Sequence, residues 1–173
     1  MNEPTLILVD TLDREVGTMP KSEAHKQPHL HRAFSVFLHN GRKMLIQQRA
    51  AHKYHSPMIW ANSCCSHPRP NEELYTSVQN RMIEEIGFNC PVEELFSFVY
   101  LAKYNENLYE YEYDHVFLGE YKGEYTLNPE EAMDAKWIDI DDLEKDLVEN
   151  PQKYAIWFIS AAPRVIEHIR KNL

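Results

Sequence analysis

A chain of 173 residues that is 43% hydrophobic and 12% aromatic has room for one domain with a substantial core. Its 18 basic against 27 acidic residues leave a formal net charge of −9, which argues against a general binder of nucleic acid or anionic membrane and requires any phosphorylated ligand to be met by local cations or metal ions. The apolar stretch Leu6 to Val9 is too short for a signal core and no run approaches membrane-spanning length, while three cysteines, two of them adjacent, read as reduced thiols, so a cytoplasmic location is expected.

Thr5 to Asp10 and Glu15 to Thr18 have the composition of short strands around a polar turn, and Pro20 to Ala24 of a brief helical turn. Arg32 to His39 and Lys43 to Arg49 are strand-like runs flanking Asn40-Gly41, the dipeptide suited to a tight hairpin. Farther on, Asn71 is the expected N-cap of an amphipathic helix in which Leu74, Val78, Met82 and Ile86 recur every four residues, and Gly87 is its expected terminator. Strands are expected at about Glu94 to Ala102, Leu108 to Tyr121 and Asp134 to Ile140. Helices follow at about Asp141 to Val148 and Gln152 to Lys171, the latter bent or divided by Pro163. Strands, a central helix, more strands and C-terminal helices make an α+β pattern, without repeats or linkers, over a single domain 1–173.

The densest polar cluster is Trp60-Ala61-Asn62-Ser63-Cys64-Cys65-Ser66-His67-Pro68, followed within one predicted helix by Arg81, Glu84, Glu85 and Gly87. It sets a thiol, an imidazole and paired carboxylates around one loop-to-helix junction. In the strand from Leu108, alternation puts Glu110, Glu112 and Asp114 on one face and Tyr109, Tyr111 and Tyr113 on the other. The acidic face has two readings: the solvated side of a half-buried sheet, or carboxylates that meet His25, His31 and His67 on a divalent ion. Each of the nine histidines taken singly is more often a surface residue. Together, three imidazoles and two carboxylates suit an octahedral Mn²⁺, Mg²⁺ or Fe²⁺ site better than a four-coordinate zinc.

Ser66 to Phe88 follows the outline of the Nudix box, Gly-x5-Glu-x7-Arg-Glu-U-x-Glu-Glu-x-Gly-U with U aliphatic, through Ser66, Glu72, Met82, Glu84, Glu85, Gly87 and Phe88. Ser66 replaces the glycine, Asn80 the arginine, and Arg81 the first glutamate of the final cluster. A cation among carboxylates that should hold Mg²⁺ argues against a pyrophosphohydrolase. With that departure, the chain resembles the type 1 isopentenyl diphosphate isomerases, a Nudix-fold family. The matching segments are Lys21-Ser22-Glu23-Ala24-His25, Leu30-His31-Arg32-Ala33-Phe34, Trp60 to Pro68, Arg81 to Gly87, Glu110-Tyr111-Glu112 and Trp137 to Trp157-Phe158. Singly weak, they recur in the expected order over most of the chain.

The resemblance implies a mixed sheet with a central box helix and C-terminal helices, and interconversion of isopentenyl and dimethylallyl diphosphate through a tertiary carbocation. It implies Cys65 and Glu112 as the proton-transfer pair, with Tyr100 hydrogen-bonded to the catalytic carboxylate and Trp157 facing the cation, an interaction worth about 2 kcal/mol or more in a dry pocket. His25, His31, His67, Glu110 and Glu112 match a metal site for Mn²⁺ or another divalent ion such as Zn²⁺ or Fe²⁺. Glu85 and the main-chain carbonyl of Cys65 match a Mg²⁺ site that forms with the diphosphate. Lys21, Arg49, Lys53 and Arg81 match its cationic contacts. The expected partner is this small diphosphate, with neither nucleic acid nor membrane.

Beside these readings stand plainer ones: Trp157 as core, Arg49 and Lys53 as surface charge, and Arg81 as a helix ion pair with Glu85. His29 competes with His31, which is preferred because it keeps the Leu30-His31-Arg32-Ala33-Phe34 context. In an extended Ser63 to Cys65 only one thiol can face the site; the family context selects Cys65, and Cys64, like Cys90, is expected to pack as a small residue. The competing functions are a Nudix pyrophosphohydrolase of a nucleoside diphosphate derivative and a catalytically silent metal-binding module.

Overall fold

A computed structural model describes residues 3–173. Strands β1 (Thr5–Val9) and β2 (Glu15–Pro20) form an antiparallel pair, followed by the single-turn α1 (Lys21–Ala24). Strands β3 (His31–His39) and β4 (Lys43–Arg49) come next, then the short β5 (Trp60–Ala61) and β6 (Cys64–Ser66), helix α2 (Leu74–Ile86), and the long strands β7 (Glu93–Asn105) and β8 (Leu108–Glu120). Strand β9 (Ala132–Asp139), α3 (Ile140–Glu149), a 3₁₀ turn at Pro151–Lys153 and α4 (Ile156–Lys171) complete the chain. The nine strands form one mixed sheet, an α+β fold.

β3 is the spine of that sheet. Along one edge it runs parallel to β8, from His31 opposite Glu112 to His39 opposite Glu120. Its other edge carries β6 antiparallel, with Ser35 opposite Cys65 and Val36 opposite Cys64, and then β4, with Leu38 opposite Leu45. Residues far apart in the chain are thereby set side by side. The two faces of β3 feed two cores: Phe34, Val36 and Leu38 pack with Val78, Met82 and Ile86 of α2, whereas Phe37 stacks on Phe158 of α4 at 5.7 Å. Each fully buried side chain of this size contributes about 1.5–3 kcal/mol relative to exposure.

Several local expectations are corrected. Asn71 does not cap α2; it has φ 65°, inside the preceding loop, and Glu73 is the cap, its carboxylate accepting from the Tyr75 and Thr76 amides at 3.1 and 2.9 Å. A glutamate there also places a negative charge at the helix N-terminus. Gly87 does end the helix, with φ 80° and its amide bonded to Ile83 O. The β3–β4 connection has three residues, Asn40 to Arg42, with the positive φ on Gly41 alone (101°), and the strands diverge because β6 takes over the edge of β3. Pro163 does not divide a separate segment: α4 runs through it with the ring exposed, and the helix instead starts late, after Tyr154 and Ala155 dock on Trp60.

Candidate active site

The parallel register places His31 beside Glu112, α1 brings His25, and the residue after β6 brings His67, so that one ligand atom from each of these four residues lies within 4.8 Å of the others. Each first-named imidazole is oriented by a main-chain carbonyl: His25 Nδ1 meets Lys21 O at 2.6 Å and His31 Nδ1 meets His29 O at 2.9 Å. That backbone contact is all His29 supplies. With Nδ1 protonated, Nε2 of both rings presents a lone pair to the cluster, and both atoms are buried without a hydrogen-bond partner. His67 Nε2 stands 2.8 Å and His31 Nε2 3.4 Å from Glu112 Oε2. Orphaned buried acceptors beside a carboxylate are what a divalent ion would satisfy, and the nitrogen and oxygen donors fit one.

Burial opposes charge on all three rings. It prevails at His25 and, with repulsion from His31 and Lys21 added, strongly at His67, holding both below the ordinary histidine range. At His31 the same penalty is overcome by the Glu112 carboxylate, which raises it. Glu112 itself is buried, yet the neighbouring His31 ring and the hydrogen bond from Tyr100 hold its carboxyl below the usual range.

The acidic face of β8 is therefore interior: Glu110, Glu112 and Asp114 are all buried, and the reading of a solvated sheet face is wrong. Glu110 does not join the four-residue cluster. Its carboxylate accepts from Tyr100 at 3.0 Å and Tyr104 at 3.3 Å and meets His55 Nε2 at 2.8 Å. Tyr100 also donates to Glu112, at 2.5 Å, so one hydroxyl spans both carboxylates. Asp114, deeper still, is raised well above the carboxylate range by burial and by the charge of Glu112, and accepts from Ser35 Oγ at 2.8 Å.

Cys65 and Cys64 point to opposite sides of β6, as extended backbone requires. Cys65 lines the same pocket as Glu112, Tyr100 and Trp157. Its thiol is pushed up by burial and then by the Glu85 charge, so it is held as the protonated thiol. Cys64 enters the α2 core as expected of a small residue, but its thiol also donates to Glu85 Oε2 at 3.0 Å, a polar contact that size and hydrophobicity do not reveal. Cys90 is a half-buried packing residue against the same core.

Trp157 is held by Asn62, whose side-chain oxygen accepts from the indole at 2.9 Å while its amide donates to Val36 O and Cys64 O. The guanidinium of Arg49 lies 5.2 Å from the Trp157 ring centre. Lys21, Lys53 and Arg81 line the pocket with Arg49. Arg81 is both a helix ion pair and a pocket cation: it reaches Glu84 and Glu85 at 3.0 Å each and Glu131 at 2.7 Å. Glu131 also binds Lys53. The carboxylates outweigh burial and raise Arg81, whereas burial followed by repulsion from Lys53 lowers Lys21. Tyr54, His55, Asn62 and Glu131 went unread in the sequence; none belongs to a spaced motif, although Asn62 lies inside the polar run.

Comparison with known proteins is consistent with this geometry. The NUDIX domain family matches residues 29–158. Among curated proteins, the chain is 45% identical over 165 residues to isopentenyl-diphosphate Delta-isomerase 2 of Aromatoleum aromaticum, covering 95% of this chain and 87% of that protein. It is 44% identical over 154 residues to isopentenyl-diphosphate Delta-isomerase 2 of Photorhabdus laumondii, covering 88% and 87%. Among solved structures, DR0079 from Deinococcus radiodurans superposes with a TM-score of 0.77 at 18% identity, over 92% of this chain and 98% of that one. The MutT protein from Methanosarcina mazei does so with a TM-score of 0.64 at 17% identity, over 83% and 95%. Likeness at such identity speaks for the fold.

Proposed function

This chain belongs to the isopentenyl-diphosphate Delta-isomerases of the NUDIX fold, and from that premise we propose that Cys65 and Glu112 carry out its proton transfers. The reaction interconverts isopentenyl and dimethylallyl diphosphate. A proton added to the terminal alkene carbon makes a tertiary carbocation, and loss of a different proton from the carbon on its other side sets the new double bond. One group gives a proton and the other takes one, with roles exchanged in the reverse direction. The observation that carries the assignment is the position of the pair on β3: Cys65 is registered opposite Ser35 on one edge, and Glu112 opposite His31 on the other.

Each surrounding residue has a task in this reading. Tyr100 orients Glu112 through its hydroxyl, and the Trp157 ring, fixed by Asn62, offers a π face to the carbocation. Lys21, Arg49, Lys53 and Arg81 receive the diphosphate, meeting the need for local cations in an acidic protein. His25, His31, His67 and Glu112, with Glu110 beside them, hold a divalent ion such as Mn²⁺. Glu85 and the Cys65 carbonyl hold Mg²⁺ that arrives with the substrate; Glu85 Oε1 meets only Gln47, at 3.5 Å, and is free for that use. When bound, such ions neutralise anionic oxygens and orient carboxylates.

The test is incubation with isopentenyl diphosphate and Mg²⁺ in deuterated water. Deuterium entering dimethylallyl diphosphate without release of phosphate is the expected result; phosphate release would instead support a pyrophosphohydrolase, and neither product a silent module. Arg81 stands against hydrolysis, since it sets a cation among Glu84, Glu131 and Oε2 of Glu85, where a hydrolase needs carboxylates for several metal ions, while leaving Oε1 of Glu85 for a single Mg²⁺.

A further inference from the structure

The four cations of the pocket are held in two ways. Arg81 and Lys53 are paired with carboxylates, which offset their charge and occupy their N–H donors. Arg49 and Lys21 lie against aromatic rings instead. The Arg49 guanidinium sits on Trp157, and Lys21, which has no carboxylate partner among the described residues, sets its Nζ over the ring of Tyr54, 5.3 Å from the centre. Tyr54 is 49% exposed, at the mouth of the pocket that it lines, and its ring meets two imidazoles edge-on, His55 at 4.6 Å and His25 at 5.7 Å. The next two residues serve Arg49, whose guanidinium donates to the main-chain oxygens of His55 at 3.3 Å and Ser56 at 3.1 Å. The segment from Lys53 to Ser56, between β4 and β5, thus contributes one cation and seats two others.

We propose that Tyr54 is a positioning residue for the reaction, whose π face seats the Lys21 ammonium toward the diphosphate without neutralising it. A ring attracts a cation through its quadrupole but carries no net charge, so the ammonium keeps its charge and its remaining N–H donors for an anion. A carboxylate in the same place would compete with each incoming diphosphate. The phenol oxygen has no part in this seat, which makes ring and hydroxyl separable. The inference rests on reading Lys21 as a diphosphate contact.

The experiment is steady-state isomerisation of isopentenyl diphosphate at saturating Mg²⁺ and Mn²⁺, with a thermal melt and a Mn²⁺ titration for each variant. Tyr54→Leu keeps apolar bulk and loses the π face, so KM is expected to rise about 2- to 5-fold while kcat, melting temperature and Mn²⁺ affinity hold. Tyr54→Phe keeps the face and should stay within about 1.5-fold of the parent in KM. Lys21→Met should raise KM by ~10-fold or more, and in that background Tyr54→Leu should add less than about 1.5-fold, because the ring has no cation left to seat. No rise in KM for Tyr54→Leu, an equal rise for Tyr54→Phe, or a full further rise in the double variant would overturn the role of Tyr54 and leave Lys21 as a diphosphate contact. Weakened Mn²⁺ binding in Tyr54→Leu would overturn it too, by assigning the ring to packing on His25. Unchanged KM in Lys21→Met would instead bring down the reading of Lys21 itself, and the inference with it.

Discussion

The pocket has two walls that solve opposite problems. On the histidine wall the polar atoms are incomplete: Nε2 of His25 and of His31 are buried with no hydrogen-bond partner. On the cationic wall two of the four cations are already paired, Arg81 with Glu84, Glu85 and Glu131, and Lys53 with Glu131. An unsatisfied wall gains from a ligand without first giving anything up, because the cost of burying bare acceptors has been met in folding. A satisfied wall must exchange partners, so its ligand competes with Glu131 for the same two cations. The first arrangement favours a resident ion, the second a substrate that comes and goes.

The largest expected effect breaks the histidine wall. Glu112→Gln keeps the shape but can neither give nor take the required proton, so turnover at saturating Mn²⁺ should fall by ~10³-fold or more, measured as steady-state isomerisation. The paired thiols come next and compare the two sides of β6. Cys65→Ala should be inactive while folded and still able to bind diphosphate, and Cys65→Ser severely impaired. Cys64→Ala should keep turnover within about 3-fold and lose about 1–2 kcal/mol of stability, because only packing and the hydrogen bond to Glu85 are removed. Loss of turnover in Cys64→Ala with activity kept in Cys65→Ala would reverse the assignment.

The cationic wall should respond in KM. Arg81→Glu reverses a charge in the diphosphate site, with KM expected to rise by ~10²-fold. Glu131→Gln removes the internal competitor and should lower KM, the opposite direction, by a few-fold. A smaller effect separates the walls by pH. Metal requires a neutral His31, and Glu112 raises that ring, so Mn²⁺ affinity should begin to fall above the ordinary histidine value as pH decreases, by up to about tenfold per unit. His67, already held low, should not limit it. In Glu112→Gln the onset should move to lower pH, followed by Mn²⁺ titration across the range. The smallest expected effect lies outside both walls: Glu73→Ala removes the α2 cap and should cost about 1 kcal/mol in denaturant unfolding without altering KM or Mn²⁺ affinity.

Elements with strong local signals were readable in the chain. The four-residue spacing of Leu74, Val78, Met82 and Ile86 put those side chains on one buried face of α2, and Gly87 ended it. Alternation put Glu110, Glu112 and Asp114 together, although whether that face met water or the interior depended on what packed against it. The N-cap was misread because asparagine is a preferred capping residue and glutamate is not, whereas the loop path, which gives Asn71 a φ of 65°, left the role to Glu73. His55 and Glu131 had no local signal, since a lone histidine and one glutamate among 27 acidic residues carry no spacing from which a role can be read.

The sequence by itself determined the strand and helix periodicities, the family motifs and their order, and the residue types from which the site is made. These depend on backbone geometry and side-chain chemistry within a few residues. Only the tertiary structure decided which of those residues meet. His67 and Glu112, 45 positions apart, touch because β3 accepts β6 along one edge and β8, in parallel register, along the other. It also decided that Glu110 turns to His55 while Glu112 turns to His31 and His67, since the side chains that engage each carboxylate come from strands and loops brought together by sheet pairing, which no local pattern encodes.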